Sequence, residues 1–421
     1  METSFLCTTE STSPAYFQGA EFSPDGLCLL TSDTGSNTLL CYEPKPPFKP
    51  LLRSPEPSPI YSYCWYPNMD SSNPASCIYL SSARDQPLHL WDAYTGKLRA
   101  SYRAYDSADE ITSALSTQFS LDGSLIYAGF TNCVKVFRTD LPGRACVTLK
   151  TTPTKKSREG QKGIIGALAC SPVYDNVWAA GSYAGSIYLY DDRTSAPAAE
   201  LAGEEPASSE RCLSGLKVNA SKGAGKRALG EGGEQQEEDV MAKLARVKSE
   251  WYAKNVNSGI TGLKWGDNCL YSSSRRGDGV VAWDMRMLAD ESSRRPHPVR
   301  AYARSGDTNQ RLEFDLGDGG NKLFVGSKDS CVRVYQAATG EEIQTITGFD
   351  DCCNGISVSD RWGMLAVATG QRHYPLAGEG KGAGGSSGEE SEGESEGEEG
   401  EEGEEEGDAE RGGTLSVLKW K

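Results

Sequence analysis

Histidine is nearly missing from this sequence, with three residues in 421, at positions 89, 297 and 373. None stands beside a Ser or Cys in a nucleophile motif, so imidazole acid–base chemistry and a Cys/His zinc site both lack their parts. No C-x-x-C pair occurs among 13 cysteines, most of them inside apolar runs (Cys28, Cys41, Cys133, Cys170, Cys331). An odd, unpatterned set of this kind fits a reducing compartment rather than a disulfide framework. No stretch approaches the ~18 consecutive apolar residues of a membrane span, and METSFLCTTEST has neither the basic start nor the apolar core of a secretory signal. Positive charge is also short, at 43 Lys+Arg against 59 Asp+Glu and a net of -16. Taken whole, that number opposes a phosphate-rich partner. These absences leave no catalytic set, metal or cofactor to expect, and neither a membrane nor a small-molecule substrate.

The negative charge is not spread along the chain. Residues 377–413 hold 15 of the acids against one Lys and one Arg, while the remaining 384 residues carry 41 basic and 44 acidic side chains. The body of the chain is nearly neutral, and the objection to RNA weakens accordingly.

What the sequence does contain is a repeat. FQGAEFSPDGLCLLTSDTGSNTLLCY at 17–42 is three short apolar strands divided by turn residues. The pattern returns at 61–105, 113–137, 165–191, 260–286, 311–335 and 354–370, the last copy waiting for its third strand until TLSVLKW at 414–420. Asp25-Gly26 and Asp122-Gly123 are hairpin turn dipeptides. Trp-Asp closes the third strand at 91–92 and 283–284, as in WD repeats. Without two irregular inserts, roughly 325 residues remain, about 46 per unit, close to the WD-repeat period of about 40–45. The expectation is an all-β fold, a seven-bladed WD-repeat β-propeller, whose closed ring leaves no open sheet edge. Residues of about 3–8 are expected to supply the outer strand of the last blade.

The corresponding division is an N-terminal segment at 1–15, blades 1–4 at 16–203, an insert at 204–257, blades 5–7 at 258–376, an acidic disordered insert at 377–413 and a closing strand at 414–421. Within the first insert, residues 204–233 read as disordered. Residues 234–254 place Val240, Leu244, Val247 and Trp251 on one face of an amphipathic helix, laid on the propeller or docked on a partner. GAGKRAL at 223–229 lacks the glycine spacing, the Ser/Thr and the preceding strand of a phosphate loop.

The polar set that buttresses many WD blades is thin, since no Gly-His dipeptide occurs. Asp85, Asp278 and Asp329 in turns, Trp91 and Trp283 in third strands, and Gly355 at a strand start are read as structural, with apolar packing holding the blades. His89, between Leu88 and Leu90, reads as a structural histidine. The acidic insert is read as a polyanion that competes with non-specific RNA for the propeller's loops.

Those loops hold the candidate binding residues: Arg84, Arg103, Tyr105, Arg275, Arg276, Asn309, Gln310, Arg311 and Arg372. Guanidinium for phosphate, planar rings for stacking and amides for base edges suit looped, single-stranded RNA. Arg and Tyr equally anchor protein interfaces, and residue chemistry alone favours a protein partner. For Arg311, a structural pairing with a buried Asp is an open alternative.

Several stretches are more specific than the WD dipeptides. YSYCWYP at 61–67, HLWDAYTGKLRASYRAYDSADEITSA at 89–114, TNQRLEFDL at 308–316, NGISV at 354–358 and ATGQR at 368–372 closely resemble the telomerase Cajal body proteins, a family of nuclear WD-repeat proteins. The resemblance runs from about residue 16 to 376. It implies recognition of a Cajal-body localisation box in small Cajal body RNAs and telomerase RNA, association with telomerase and H/ACA-type ribonucleoprotein proteins, and residence in nuclear Cajal bodies. The alternative is a scaffold of the RNA-modification ribonucleoprotein that meets protein rather than RNA.

Overall fold

The computed structural model describes residues 3–11, 15–154, 157, 159–194, 197–202, 254–255, 258–286, 298–371 and 412–420. The expected amphipathic helix, the GAGKRAL segment, the acidic run and Arg372 lie outside the described residues.

Apolar runs cut by turns such as Asp25-Gly26 and Asp122-Gly123 fold here as antiparallel meanders, because each run is only long enough for a short strand before a turn residue ends it. Seven four-stranded sheets result, every neighbouring pair of strands antiparallel. The chain is an all-β, seven-bladed propeller, as the repeat predicts. The innermost strands are Phe17–Phe22, Ile60–Trp65, Ser116–Phe119, Ile165–Cys170, Ile260–Trp265, Phe314–Gly317 and Cys353–Ser359, for blades 1 to 7 in turn. Blade 7 takes its third strand from Thr414–Trp420 and its outer strand from Thr3–Glu10, which pairs with it from Thr3↔Trp420 to Glu10↔Thr414. Both ends of the sequence thus meet in one sheet, and the ring closes, leaving only the short outer strand of each blade as a sheet edge.

There is no single core. Among the described residues, seven apolar clusters each fill one blade–blade interface. Leu30, Cys41, Trp65 and Tyr79 join blades 1 and 2, and Phe17, Phe22, Ala366 and Val417 join blades 1 and 7. Apolar packing between neighbours is therefore the main tie, but it is not the only one. In blade 2 the indole N–H of Trp91 donates to Ser81 Oγ at 2.8 Å, Ser81 Oγ donates to Glu56 Oε1, and His89 Nδ1 lies 2.9 Å from Glu56 Oε2. The side chain of Glu56 is wholly buried. This is a polar buttress without a Gly-His dipeptide: the imidazole comes from the third strand, and a carboxylate from the preceding link takes its place. In blade 5 the corresponding described bond runs from Trp283 Nε1 to Ser272 Oγ, at 2.9 Å.

Closure of the ring depends on Asn354 and Gly355. The amide of Asn354 accepts from Gly19 N at 3.0 Å and donates to Phe17 O and Gly370 O, both at 2.9 Å. A Cβ on Gly355 would stand 2.5 Å from the Gly19 carbonyl carbon, so only glycine lets blades 7 and 1 approach this closely.

Candidate nucleic-acid interface

Each inner strand begins on the same face of the ring, so on that face lie the links that enter inner strands and the turns that join second to third strands. The described candidates all fall there. Arg84 occupies the blade 2 turn and Arg103 and Tyr105 the link to blade 3. Arg275 and Arg276 form the blade 5 turn, and Asn309, Gln310 and Arg311 the link into blade 6. They divide into two groups.

In the first group Asn309, Gln310 and Arg311 line the channel mouth, and Arg275 and Arg276 are joined to it through Asn309. The link into blade 6 packs on the blade 5 turn, where a Cβ on Gly306 would stand 1.8 Å from Gly277 O, and Arg276 N donates to Thr308 O at 3.3 Å. This contact brings Asn309 between two arginines. Its Oδ1 accepts from Arg275 Nε at 3.1 Å and from Arg276 Nε at 2.9 Å. Holding both guanidiniums by Nε leaves their outer nitrogens for another acceptor. The acceptor of Asn309 is thus taken up by the two arginines, while its amide donors point to no partner among the described hydrogen bonds. Gln310 donates to Gly370 O at 2.9 Å. Arg311 faces Glu313 at 3.9 Å, with its Nε buried and without a hydrogen bond, and among the described residues its ion pair is with this Glu rather than with an Asp.

A depression of about 460 Å³ opens at this mouth, lined by Gln18, Tyr61, Tyr183, Asn309, Arg311 and Gln371 among others. Tyr61, Tyr183 and Gln18 are absent from the sequence-derived set. Tyr183 is 42% exposed, and its seat is cut by glycine: a Cβ on Gly166 would meet its ring at 2.1 Å, and one on Gly259 its carbonyl oxygen at 2.9 Å. The signal lay in the glycine opening an inner strand and in the Tyr of a second-to-third strand turn. Only the fold puts the two together.

The second group lies on the rim at blades 2 and 3. Arg84 is exposed, 3.4 Å from Asp85, which turns the chain at φ 55°. Arg103 is exposed. The Tyr105 ring carries the Arg144 guanidinium 4.5 Å from its centre, so one of its faces is already stacked. Asp278 is ion-paired with Lys254. Asp329 pairs with Arg333 at 2.5 Å.

Below the mouth the channel holds charge of both signs. Lys264 lies 2.7 Å from Asp315; burial opposes its charge, but Asp315, Glu313 and Glu21 hold its pKa above the ordinary value. Glu21 is pushed up to about 8, first by burial and then, against the pull of Lys264, by Glu313 and Asp315. Nothing in this set resembles a nucleophile with its base. The mouth offers guanidinium nitrogens, tyrosine rings and amides around a shallow opening, groups that can hold phosphates and stack bases.

Curated relatives extend across most of the chain. A protein named telomerase Cajal body protein 1 from Bos taurus is 33% identical over 380 residues, 86% of this chain and 58% of its own length. The Homo sapiens protein of that name is 32% identical over 87% of this chain and 59% of its own length, and the Drosophila melanogaster homolog is 29% identical over 87% and 59%. The chain thus spans about three fifths of the length of the relatives it matches. No family model matches it.

Proposed function

From the premise that the chain is a homologue of the proteins named telomerase Cajal body protein 1, we propose that it is a non-enzymatic RNA-binding scaffold of telomerase and small Cajal body ribonucleoproteins. In this reading it grips a localisation box in a looped RNA at the channel mouth, works alongside H/ACA-type ribonucleoprotein proteins, and resides in nuclear Cajal bodies. The observation that carries the reading is the double hold of Asn309 Oδ1 on Arg275 and Arg276, beside the exposed ring of Tyr183. Two guanidiniums fixed by one amide are preorganised for phosphate oxygens. A neighbouring aromatic supplies the face on which an unpaired base stacks.

The test is direct binding of the purified chain to a short stem-loop RNA and to the same stem with a scrambled loop. Loop-dependent binding that weakens with salt is expected. Binding to neither RNA, with association only to assembled ribonucleoprotein, would instead establish a protein-contacting scaffold.

A further inference from the structure

Lys135 is a buried cation with no ion-pair partner among the described residues, although its charge reaches Asp106 and, after the backbone N–H groups of Glu110 and Ala108, helps to hold that carboxyl below its ordinary pKa. It stands in the third strand of blade 3, opposite Ala128 and Thr148, and is only 8% exposed. Its ammonium donates to the Tyr105 carbonyl and lies 5.6 Å from the centre of the Phe130 ring. Among the described residues no carboxylate lies within ion-pair distance of it. An ammonium has three protons to give, and burying one with a single neutral acceptor is unfavourable unless something negative completes its shell.

The space beside it is open. Lys135 borders a depression of about 600 Å³ whose walls include Lys150, Thr131, Thr148, Thr152 and Asn132. Asp106 is the one acid on that wall, and its Oδ1 is engaged in its own loop, accepting from Ala108 N at 2.8 Å and Glu110 N at 3.0 Å. Two lysines with hydroxyl donors around them suit an anion with several acceptor oxygens. Lysine binds phosphate as a point charge, and the threonines can share the remaining oxygens. A carboxylate, with two oxygens in one plane, would serve fewer of these donors.

We propose that this depression on blade 3 is a phosphate-binding site, occupied by a backbone phosphodiester of the RNA as it crosses the rim from the mouth past Arg103 and Tyr105. The RNA source rests on the function proposed above, whereas the phosphate chemistry does not. The test uses the full chain and the Lys135→Met variant, which keeps the length of the side chain and removes its charge. In phosphate-free buffer the variant should melt at the same temperature as the wild type or higher, since an unpaired buried charge is gone. Inorganic phosphate should raise the melting temperature of the wild type but not of the variant, against chloride at equal ionic strength. The variant should bind stem-loop RNA several-fold more weakly, with the salt slope reduced by about one.

A wild type indifferent to phosphate, or a variant that responds equally, overturns the site. Equal RNA affinity in the two proteins overturns its assignment to the RNA backbone. Phosphate protection lost in the variant, in a chain that binds no stem-loop RNA, upholds the phosphate site while the channel-mouth reading falls.

Discussion

Tyr183 lies directly over Gly166, so close that a Cβ on the glycine would stand 2.1 Å from the tyrosine ring. The aromatic at the channel mouth is therefore placed by the absence of a side chain on the neighbouring inner strand. Gly166→Ala should push the ring off its seat and lower stem-loop affinity nearly as much as Tyr183→Ala. A stacked base makes the expected loss about 1–3 kcal/mol. Titration of both variants with labelled RNA checks this, and Gly166→Ala binding like the wild type would mean that the ring position is irrelevant.

Asn309 should behave as an organiser of the two arginines. In Asn309→Ala both guanidiniums lose their common acceptor, and affinity should fall about tenfold, or about 1.4 kcal/mol. Because the lost bonds lie at the surface, thermal stability should hardly move. If Asn309 instead read a base edge, the loss would depend strongly on loop sequence, so comparing several loop sequences separates the two roles.

Ring closure gives a prediction about stability. Asn354 bonds to Gly19, Phe17 and Gly370, and Gly355 leaves no room for a Cβ against Gly19. Gly355→Ala must separate blades 7 and 1, which should cost about 3 kcal/mol, and Asn354→Ala strands buried backbone groups at a similar cost. Denaturant unfolding of the two variants measures both losses.

The channel carboxyl of Glu21 makes stability depend on pH. Its pKa is about 8 in the folded chain against an ordinary 4.5, so between these values the folded state holds a proton that the unfolded state has released. Stability should accordingly fall as pH rises from 4.5 to 8. Glu21→Gln removes this component and should flatten the melting temperature across the window, gaining on the wild type at the alkaline end. Parallel pH profiles for the two proteins would contradict the assignment.

The sequence reveals the fold through repetition, since seven copies of one strand-and-turn pattern can bury their faces only against one another. The loop residues Arg275, Arg276 and Asn309 can be read as surface groups of one kind, because turns carry the polar residues that strands exclude. Their arrangement cannot be read, because Arg275 and Asn309 are 34 positions apart and meet only where the blade 5 turn touches the link to blade 6. The buttress of blade 2 is hidden for the same reason: Glu56 and His89 lie 33 positions apart, and neither belongs to the dipeptide that marks such a network. Tyr183 and Gly166 are silent in sequence because a glycine announces flexibility but not which ring will fill the space above it.

The proposed grip on RNA depends on Arg275 and Arg276 presenting their outer nitrogens to phosphates beside the channel mouth. The measurement that tests it most directly is stem-loop affinity across a salt series for the wild type and an Arg275→Ala/Arg276→Ala double variant. Loss of two phosphate contacts should make the slope of log affinity against log salt shallower by about two, with the melting temperature unchanged. An unchanged slope and affinity in a folded double variant would show that RNA does not bind there.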